Sequence, residues 1–214
     1  MFPRLLPVTK ALLIANAAVY LLQLALGNTL LAWFALWPVG HGFLPWQLLT
    51  YGFLHDTGGM AHLLFNMLAL YMFGSPLEQT WGQKRFLTFF LVCIAGAGLL
   101  QLLVGWWMVS GGGLPYPTVG ASGGVFGLLL GYGMLFPNQR LIVFPLPMEI
   151  RARTLVIFYA LLALVLGFTG WQPGVAHFAH LGGMVFGWLM IRYWRGQPPF
   201  GRGRRGPPRM RVVK

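Results

Sequence analysis

The sequence predicts an all-α, polytopic membrane protein with six transmembrane helices, and three observations support this fold class. The chain of 214 residues is 57% hydrophobic and only 8% charged, whereas an ordinary soluble domain carries about 25% charged residues. Its apolar residues are grouped into long segments, and its basic residues fall only between alternate segments. Because lipid removes the need for a polar surface, a bilayer is the solvent that suits this composition.

Six apolar segments account for most of the chain, at about 20 residues for each crossing of a bilayer. They run approximately over 11–31, 61–77, 86–108, 122–137, 154–169 and 176–194. The first is long for the apolar part of a signal peptide, so we interpret it as an uncleaved span. The fourth is short and begins in a glycine cluster, and a helix that starts inside the membrane usually lines a cavity.

The fifteen lysines and arginines predict the topology. They precede the first segment, separate the second from the third and the fourth from the fifth, and follow the sixth. The other three loops contain none. Since basic residues are retained on the cytoplasmic side, this pattern predicts an even number of spans with both termini cytoplasmic. It also explains the net charge of +12 without a nucleic-acid partner.

The domain organisation predicted from these segments is simple. Residues 1–195 form one six-helix transmembrane domain, and residues 196–214 form a basic, disordered cytoplasmic tail. The tail is rich in Gly, Pro and Arg and lacks the hydrophobicity needed to fold. Two interpretations of it remain open, namely binding to anionic lipid headgroups and a topology signal alone.

The predicted outer side carries all five histidines and the single aspartate, Asp56. Histidine is the side chain best suited to proton transfer near neutral pH. A metal site built from these residues lacks any HExxH motif, so we predict neither a metal nor a cofactor. We interpret His41, His55 and His177 as interfacial or structural, and we do not expect Asp56 to be a third catalytic residue.

The chemistry-bearing residues begin three different segments. His62 and Asn66 are four residues apart at the start of the second segment, so they share one helical face. Ser122 begins the fourth segment, and His180 lies just inside the sixth. All three segments have their outer ends at or near these residues, which therefore lie at similar depth. His180 is the candidate general base for a Ser122 nucleophile.

Glycines explain how the serine and the histidine meet. Gly123, Gly127 and Gly131 recur at every fourth position of the fourth segment, and Gly183 and Gly187 do the same in the sixth. Small residues at this spacing let helix backbones approach closely in a membrane. A close pairing of these two segments brings the histidine to the serine.

Taken together, these motifs resemble the rhomboid family of intramembrane serine proteases. Four features occur in the family's order: His-x-x-x-Asn at 62–66, Gly-Ala-Ser-Gly at 120–123, Ala-His-Leu-Gly-Gly at 179–183, and the glycine repeat at 183–187. A Gly-x-Ser-Gly sequence alone is a weak signal, whereas this combination with the predicted topology is specific. The resemblance covers the chain from the first segment to the sixth and implies a rhomboid-like bundle with a short fourth helix.

The resemblance implies a Ser122–His180 catalytic dyad, with His62, Asn66 and the Ser122 backbone holding the oxyanion. It also implies cleavage of membrane proteins in or near their spanning helices, with substrates entering sideways from lipid. The positions that support the site by helix packing are Gly120, Gly123, Gly127, Gly183, Gly187 and Phe126.

Three positions bear on how closely the chain follows the family. Many rhomboids have Trp-Arg in the first outer loop, where this chain has Trp46 followed by Gln47. Many have tyrosine four residues after the serine, where this chain has Phe126, so we expect stacking beneath the histidine to persist. Glu78 is similar to a glutamate of the family and is interpreted as structural.

The alternatives belong to different functional classes. A non-catalytic relative that binds membrane proteins usually lacks the serine or the histidine, and this chain has both. A channel or transporter fits the outer histidines, but the chain has only three acidic residues. An aspartyl intramembrane protease needs two aspartates. The absence of an organelle-type leader suggests a prokaryotic plasma membrane with the site open to the extracytoplasmic side.

Overall fold

The computed structural model describes residues 3–142, 148–169 and 176–200, and these residues are mostly helical. In chain order the α-helices are α1 (Pro7–Leu26), α2 (Asn28–Phe34), α3 (Gln47–Thr50), α4 (Ala61–Trp81), α5 (Gln83–Ser110), α6 (Ser122–Leu135), α7 (Ala152–Thr169) and α8 (His177–Trp194). A 3₁₀ turn, Tyr51–Phe53, follows α3, and strands β1 (Arg140–Ile142) and β2 (Glu149–Arg151) form an antiparallel pair between α6 and α7. Residues 201–214 of the predicted basic tail lie outside the described residues.

Three helices of the described chain are long and apolar enough to cross a membrane by length and composition alone. They are α1, α5 and α7, and the shorter α6 is also apolar. Helices α4 and α8 have 21 and 18 residues but carry the polar residues predicted for the site. The protein is therefore a helical membrane protein.

The first apolar segment is not one helix, so the prediction of a single span over 11–31 is wrong at both ends. Helix α1 already begins at Pro7 and ends at Leu26. Gly27 then adopts a φ of +53°, a conformation that side-chain-bearing residues rarely adopt, and its N–H binds the Gln23 carbonyl. The chain continues as the separate short helix α2, so hydrophobicity persists although the helix is interrupted.

The start of α1 is held by the end of α4. The buried Glu78 carboxylate accepts hydrogen bonds from the Val8 amide at 2.9 Å and the Thr9 amide at 2.7 Å. It also accepts one from the Thr9 hydroxyl at 2.8 Å. These amides belong to the first turn of α1, where helix geometry provides no partner, and the helix dipole favours a negative group. Glu78 thus caps α1 across 69 residues of sequence.

Helix α6 is surrounded by other helices, packing against α4, α5, α7 and α8. The core beside it is aromatic and aliphatic, and its fully buried members include Leu70, Phe86, Phe89, Phe90, Ile94 and Leu128. Its glycines admit neighbouring helices closely. A β-carbon on Gly127 would lie 2.3 Å from the Cys93 sulfur of α5, and one on Gly183 of α8 would lie 1.9 Å from the Gly123 carbonyl oxygen. Helices α6 and α8 therefore pack backbone against backbone.

Candidate active site

Ser122 is the first residue of α6, and its side chain meets a histidine of α8. Its Oγ lies 2.9 Å from Nε2 of His180, which is an ordinary hydrogen-bond distance. The two residues are 58 positions apart in sequence and meet because α6 and α8 touch at their glycines. An unprotonated imidazole nitrogen accepts from a hydroxyl, so this arrangement allows His180 to take the Ser122 proton.

Backbone hydrogen bonds fix the segment that leads into Ser122. Leu36 and Thr118 form a two-bond bridge, with N···O distances of 3.0 and 2.9 Å. Two residues later the Gly120 amide donates to the Tyr51 carbonyl at 3.0 Å. The Tyr51 hydroxyl in turn donates to the Ile94 carbonyl of α5 at 2.8 Å. Ser122 is thus tied through Tyr51 to the first loop and to α5.

The His180 imidazole is held in its plane by aromatic neighbours. The Phe126 ring stacks on it, with centroids 4.1 Å apart and planes 7° from parallel. Phe126 lies one helical turn after Ser122, so the same helix supplies the serine and the surface on which its partner lies. The His177 ring meets His180 edge-on at 6.0 Å. Rotation of the His180 ring is consequently restricted.

The N-terminal end of α6 supplies hydrogen-bond donors beside the serine. The Val125 amide makes the first helical bond, to the Ala121 carbonyl at 3.0 Å. The amides of Ser122, Gly123 and Gly124 precede that bond, so the helix offers them no acceptor. The helix dipole adds a partial positive charge at the same place. A developing negative charge next to Ser122 is therefore favoured.

His62 and Asn66 of α4 face the same space. Both line one cavity together with Ser122 and His180. The Asn66 side-chain amide donates to the His62 carbonyl at 2.9 Å, and because an amide nitrogen carries two protons it has a second N–H to offer. The His62 Nδ1 accepts a hydrogen bond from the Asp56 backbone amide at 3.2 Å. The four sequence-predicted residues thus converge in one cavity.

The sequence predicted that Gly120 supports the site by helix packing. In the structure Gly120 instead lies against the His62 side chain. Its φ is +130°, and a β-carbon there would lie 2.9 Å from both Cε1 and Nε2 of His62. The same β-carbon would lie 3.7 Å from the Ser122 hydroxyl. Gly120 therefore leaves room for the imidazole beside the serine instead of joining two helices.

The cavity is large and extends well beyond the polar residues. Its volume is about 1470 Å³, and its walls come mainly from α4, α6 and the segment 116–120 that precedes α6, with two residues from α7. It reaches from Ser122 and His180 to the residues of β1, near the opposite end of α6. Away from the histidines its wall is mostly apolar, with side chains such as Phe65, Met72 and Leu155. Such a cleft suits a largely apolar ligand.

Two buried glutamines hold backbone groups around the site. From the sequence, Gln23 was not singled out, and Gln47 was named only as a departure from the family pattern, without these contacts. Gln47 is fully buried, and its Oε1 accepts from the amides of Trp37 and Leu44, both at 3.2 Å. Its Nε2 donates to the Gly42 carbonyl at 3.2 Å. Gln23 of α1 exchanges two hydrogen bonds with the His55 backbone, at 2.8 and 2.9 Å. The signal that could have pointed to Gln23 is the presence of a polar residue within the first apolar segment.

Among the described residues, Asp56 and the other histidines do not form a second centre. The Asp56 carboxylate accepts from the Gly58 amide at 3.0 Å rather than from His180. His55 is buried against His62, with ring centroids 5.1 Å apart, and His41 is exposed in the first loop. Within the ranges 3–142, 148–169 and 176–200, no three His, Cys, Asp or Glu side chains are grouped so that they could hold a metal ion.

Comparison with known proteins identifies the relatives of this chain. The rhomboid domain matches residues 43–196. RHOMBOID-like protein 4 of Arabidopsis thaliana is 36% identical over 146 residues, which cover 68% of this chain and 33% of that protein. Rhomboid protease GluP of Bacillus subtilis is 32% identical over 67% of this chain and 25% of that protein.

Rhomboid protease GlpG of Salmonella choleraesuis is 30% identical over 188 residues, covering 86% of this chain and 62% of that protein. The matched region thus spans between 25% and 62% of the length of these three relatives. The similarity includes the segments that carry Ser122, His180, His62 and Asn66, all of which fall within residues 43–196.

Proposed function

Because the chain belongs to the rhomboid family, we propose that it is an intramembrane serine endopeptidase with a Ser122–His180 dyad. The observation that carries this proposal is the 2.9 Å approach of His180 Nε2 to Ser122 Oγ, inside a cavity that they share with His62 and Asn66. A nucleophile, a base within hydrogen-bond reach and adjacent oxyanion donors are the parts that acyl transfer requires.

The acylation step follows from this arrangement. Ser122 Oγ attacks the carbonyl carbon of a substrate peptide bond while His180 takes the hydroxyl proton. The carbonyl oxygen becomes an oxyanion, stabilised by the Ser122 amide at the start of α6 and by N–H groups of His62 and Asn66. The C–N bond then breaks, and His180 gives its proton to the leaving amine. An acyl-enzyme ester on Ser122 remains.

Deacylation repeats the chemistry with water. Water from the extracytoplasmic side attacks the ester, His180 again acts as the base, and the ester bond to Ser122 breaks. The product carboxylic acid leaves and the serine hydroxyl is restored. Donors that match the oxyanion better than the carbonyl of the ground state stabilise both transition states, which is how such a site accelerates hydrolysis.

The substrates proposed are transmembrane proteins that enter from lipid. Residues of α4 and α7 line the apolar cavity, which extends from the dyad towards the opposite end of α6. A substrate helix with small or helix-breaking residues can unwind there and present its backbone to Ser122. Neither a nucleic-acid partner nor a cofactor has a part in this reaction.

The proposed topology has six spans, namely α1, α4, α5, α6, α7 and α8. Basic residues occur just before and at the start of α1, at the start of α5, between α6 and α7 and at the start of α7, and at the end of α8 and after it, which makes those ends cytoplasmic. The dyad is then near the extracytoplasmic face of a prokaryotic plasma membrane. Both termini lie in the cytoplasm.

The test compares purified wild type with Ser122→Ala and His180→Ala, assaying cleavage of a membrane substrate and labelling by a fluorophosphonate. We expect each substitution to reduce cleavage by at least about a thousandfold, the scale of losing a dyad member. Ser122→Ala also abolishes labelling. A folded Ser122→Ala protein that cleaves like wild type contradicts the mechanism, and a wild type that neither labels nor cleaves supports a membrane-protein-binding scaffold instead.

A further inference from the structure

The loop before α4 determines which nitrogen of His62 carries a proton. The Asp56 backbone N–H points at His62 Nδ1, with an N···N distance of 3.2 Å. A backbone amide can only donate, so Nδ1 must present its lone pair. A neutral imidazole with an unprotonated Nδ1 carries its proton on Nε2. This contact therefore selects the Nε2–H tautomer of His62.

The protonated nitrogen faces the reaction space. Gly120 lies against the Cε1–Nε2 edge of His62, and a β-carbon at Gly120 would be 2.9 Å from both atoms. The same point would be 3.7 Å from Ser122 Oγ. Nε2 of His62 thus lies close to the Ser122 hydroxyl, within reach of a negative charge that develops beside the serine. With the opposite tautomer, that region would receive a lone pair, which repels an oxyanion.

We propose that Asp56 is a positioning residue whose backbone amide fixes His62 as an Nε2–H donor to the oxyanion. The inference rests on the proposed protease function, since the oxyanion belongs to that reaction. Asp56 is among the residues that line the cavity, and its backbone amide acts through His62. Its role is the one that a second hydrogen-bond partner plays for any functional histidine, setting both the tautomer and the ring orientation.

Two further contacts hold the Asp56 amide in place. On one side, Gln23 of α1 binds the His55 amide and carbonyl, so the residue before Asp56 is clamped to a helix. On the other side, the Asp56 Oδ1 accepts from the Gly58 amide at 3.0 Å and forms a local turn. The exposed Asp56 side chain therefore acts on its own backbone instead of supplying charge to the dyad.

Two substitutions distinguish the effect of the turn at Asp56 from the effect of its negative charge. Asp56→Asn keeps an Oδ1 that accepts from Gly58 and removes the negative charge. Asp56→Ala removes the acceptor and releases the turn. Gly59→Ala is the matched control in the same loop, because a β-carbon there has nothing within 4 Å and the φ of Gly59 is outside the left-handed region.

The first experiment reads the tautomer by ¹⁵N NMR of histidine-labelled full-length protein in bilayers, with His62 assigned from the resonance lost in His62→Gln. We expect wild-type Nε2 to be protonated and Nδ1 unprotonated. A protonated Nδ1 overturns the proposal. Because this readout needs no catalysis, it is independent of the Ser122→Ala test, and a failure of the proposed function is distinguishable from a failure of this inference.

The second experiment measures kinetics with the same membrane substrate. We expect Asp56→Ala to lower kcat about tenfold with KM little changed, since a misoriented donor weakens binding of the transition state more than of the substrate. Asp56→Asn and Gly59→Ala should remain within about twofold of wild type, too little to mark a change in an oxyanion contact. Loss of kcat in Asp56→Asn equal to that in Asp56→Ala assigns the effect to charge and overturns the proposal, as does an unchanged Asp56→Ala.

Discussion

The Gly123 carbonyl oxygen occupies the space where a side chain of residue 183 would begin, because a β-carbon on Gly183 would lie 1.9 Å from it. No side chain can move aside to relieve this contact, since both partners are backbone. The contact lies one residue after Ser122 and three residues after His180. The distance between the serine and the histidine is therefore set by the absence of a side chain at Gly183.

Replacing Gly183 with alanine should separate the dyad. The added methyl group must push α8 away from α6, and overpacking of this kind costs about 1–3 kcal/mol of stability. A displacement of about 1 Å between reacting groups can reduce the rate about a hundredfold, which is the loss that we expect in kcat/KM. Substrate cleavage and thermal unfolding in detergent measure the two effects.

Gly187→Ala is the matched control on the same helix. Its β-carbon would meet the Phe89 ring at 3.1 Å and the Cys93 sulfur at 3.2 Å, which are side-chain atoms that can yield slightly. We expect a loss in kcat/KM of less than about fivefold, because the dyad stays in register. Equal losses in Gly183→Ala and Gly187→Ala would show that the Gly123–Gly183 contact has no special part.

The sequence predicted the α6–α8 contact because glycine spacing is local information that repeats with the helical period. It predicted the convergence of Ser122, His180, His62 and Asn66 for a related reason, since the predicted topology puts each of them near the same end of an apolar segment. Because the bilayer thickness fixes the length of each span, the ends of different spans lie at similar depths. A soluble chain offers no such constraint.

Two kinds of feature were not predicted from the sequence, namely a local break in a helix and contacts with remote partners. The interruption at Gly27 is invisible in hydropathy because apolar residues continue on both sides. The networks of Gln23 and Gln47 involve backbone groups up to 32 residues away. Because every residue type has the same backbone groups, the sequence does not reveal which of them a glutamine will bind. The role of Gly120 beside His62 likewise depends on a contact between α4 and the segment before α6.

Phe126 should be replaceable by tyrosine but not by leucine. The ring stacks on His180 with centroids 4.1 Å apart, and an aromatic pair contributes about 0.5–1.5 kcal/mol beyond its buried area. Phe126→Leu removes the flat surface, so kcat should fall about two- to tenfold, the rate equivalent of that energy. Phe126→Tyr keeps the ring and should stay near wild-type kcat. An unaffected Phe126→Leu enzyme would argue that stacking does not orient His180.

Gln47 should be required for the stability of the first loop. Its buried side chain satisfies the amides of Trp37 and Leu44 and contacts the Gly42 carbonyl. Gln47→Leu leaves these partly buried groups without their partner, and an unsatisfied group costs about 1–3 kcal/mol when its burial is complete. We expect a total loss of about 2–5 kcal/mol in the free energy of unfolding.

The control for Gln47 is Gln83→Leu, since Gln83 is exposed at the start of α5. This substitution should change the free energy of unfolding by no more than about 0.5 kcal/mol, as surface substitutions usually do. Denaturant titration of both variants in the same detergent gives the comparison. A Gln47→Leu protein as stable as the control contradicts the assigned role.

His55 should make the protein less stable in mild acid. It lies in the loop between the 3₁₀ turn and α4, where burial and the neighbouring His62 ring lower its pKa to about 4, against an opposing contribution from the Phe53 backbone. An unfolded chain takes up this proton near the ordinary pKa of about 6.5. Between these two values the unfolded state binds more protons, so the stability contributed at neutral pH is lost as the pH falls from about 6.5 towards 4.

His55→Phe keeps a planar ring that cannot be protonated and should flatten this dependence. From about pH 7.5 to pH 5, the wild type should lose about 2 kcal/mol relative to the variant, at 1.36 kcal/mol for each pH unit below about 6.5. His41→Gln is the control, because His41 is exposed and its replacement should leave the wild-type profile unchanged. Unfolding free energies across this range test the prediction, and parallel profiles for wild type and His55→Phe would refute it.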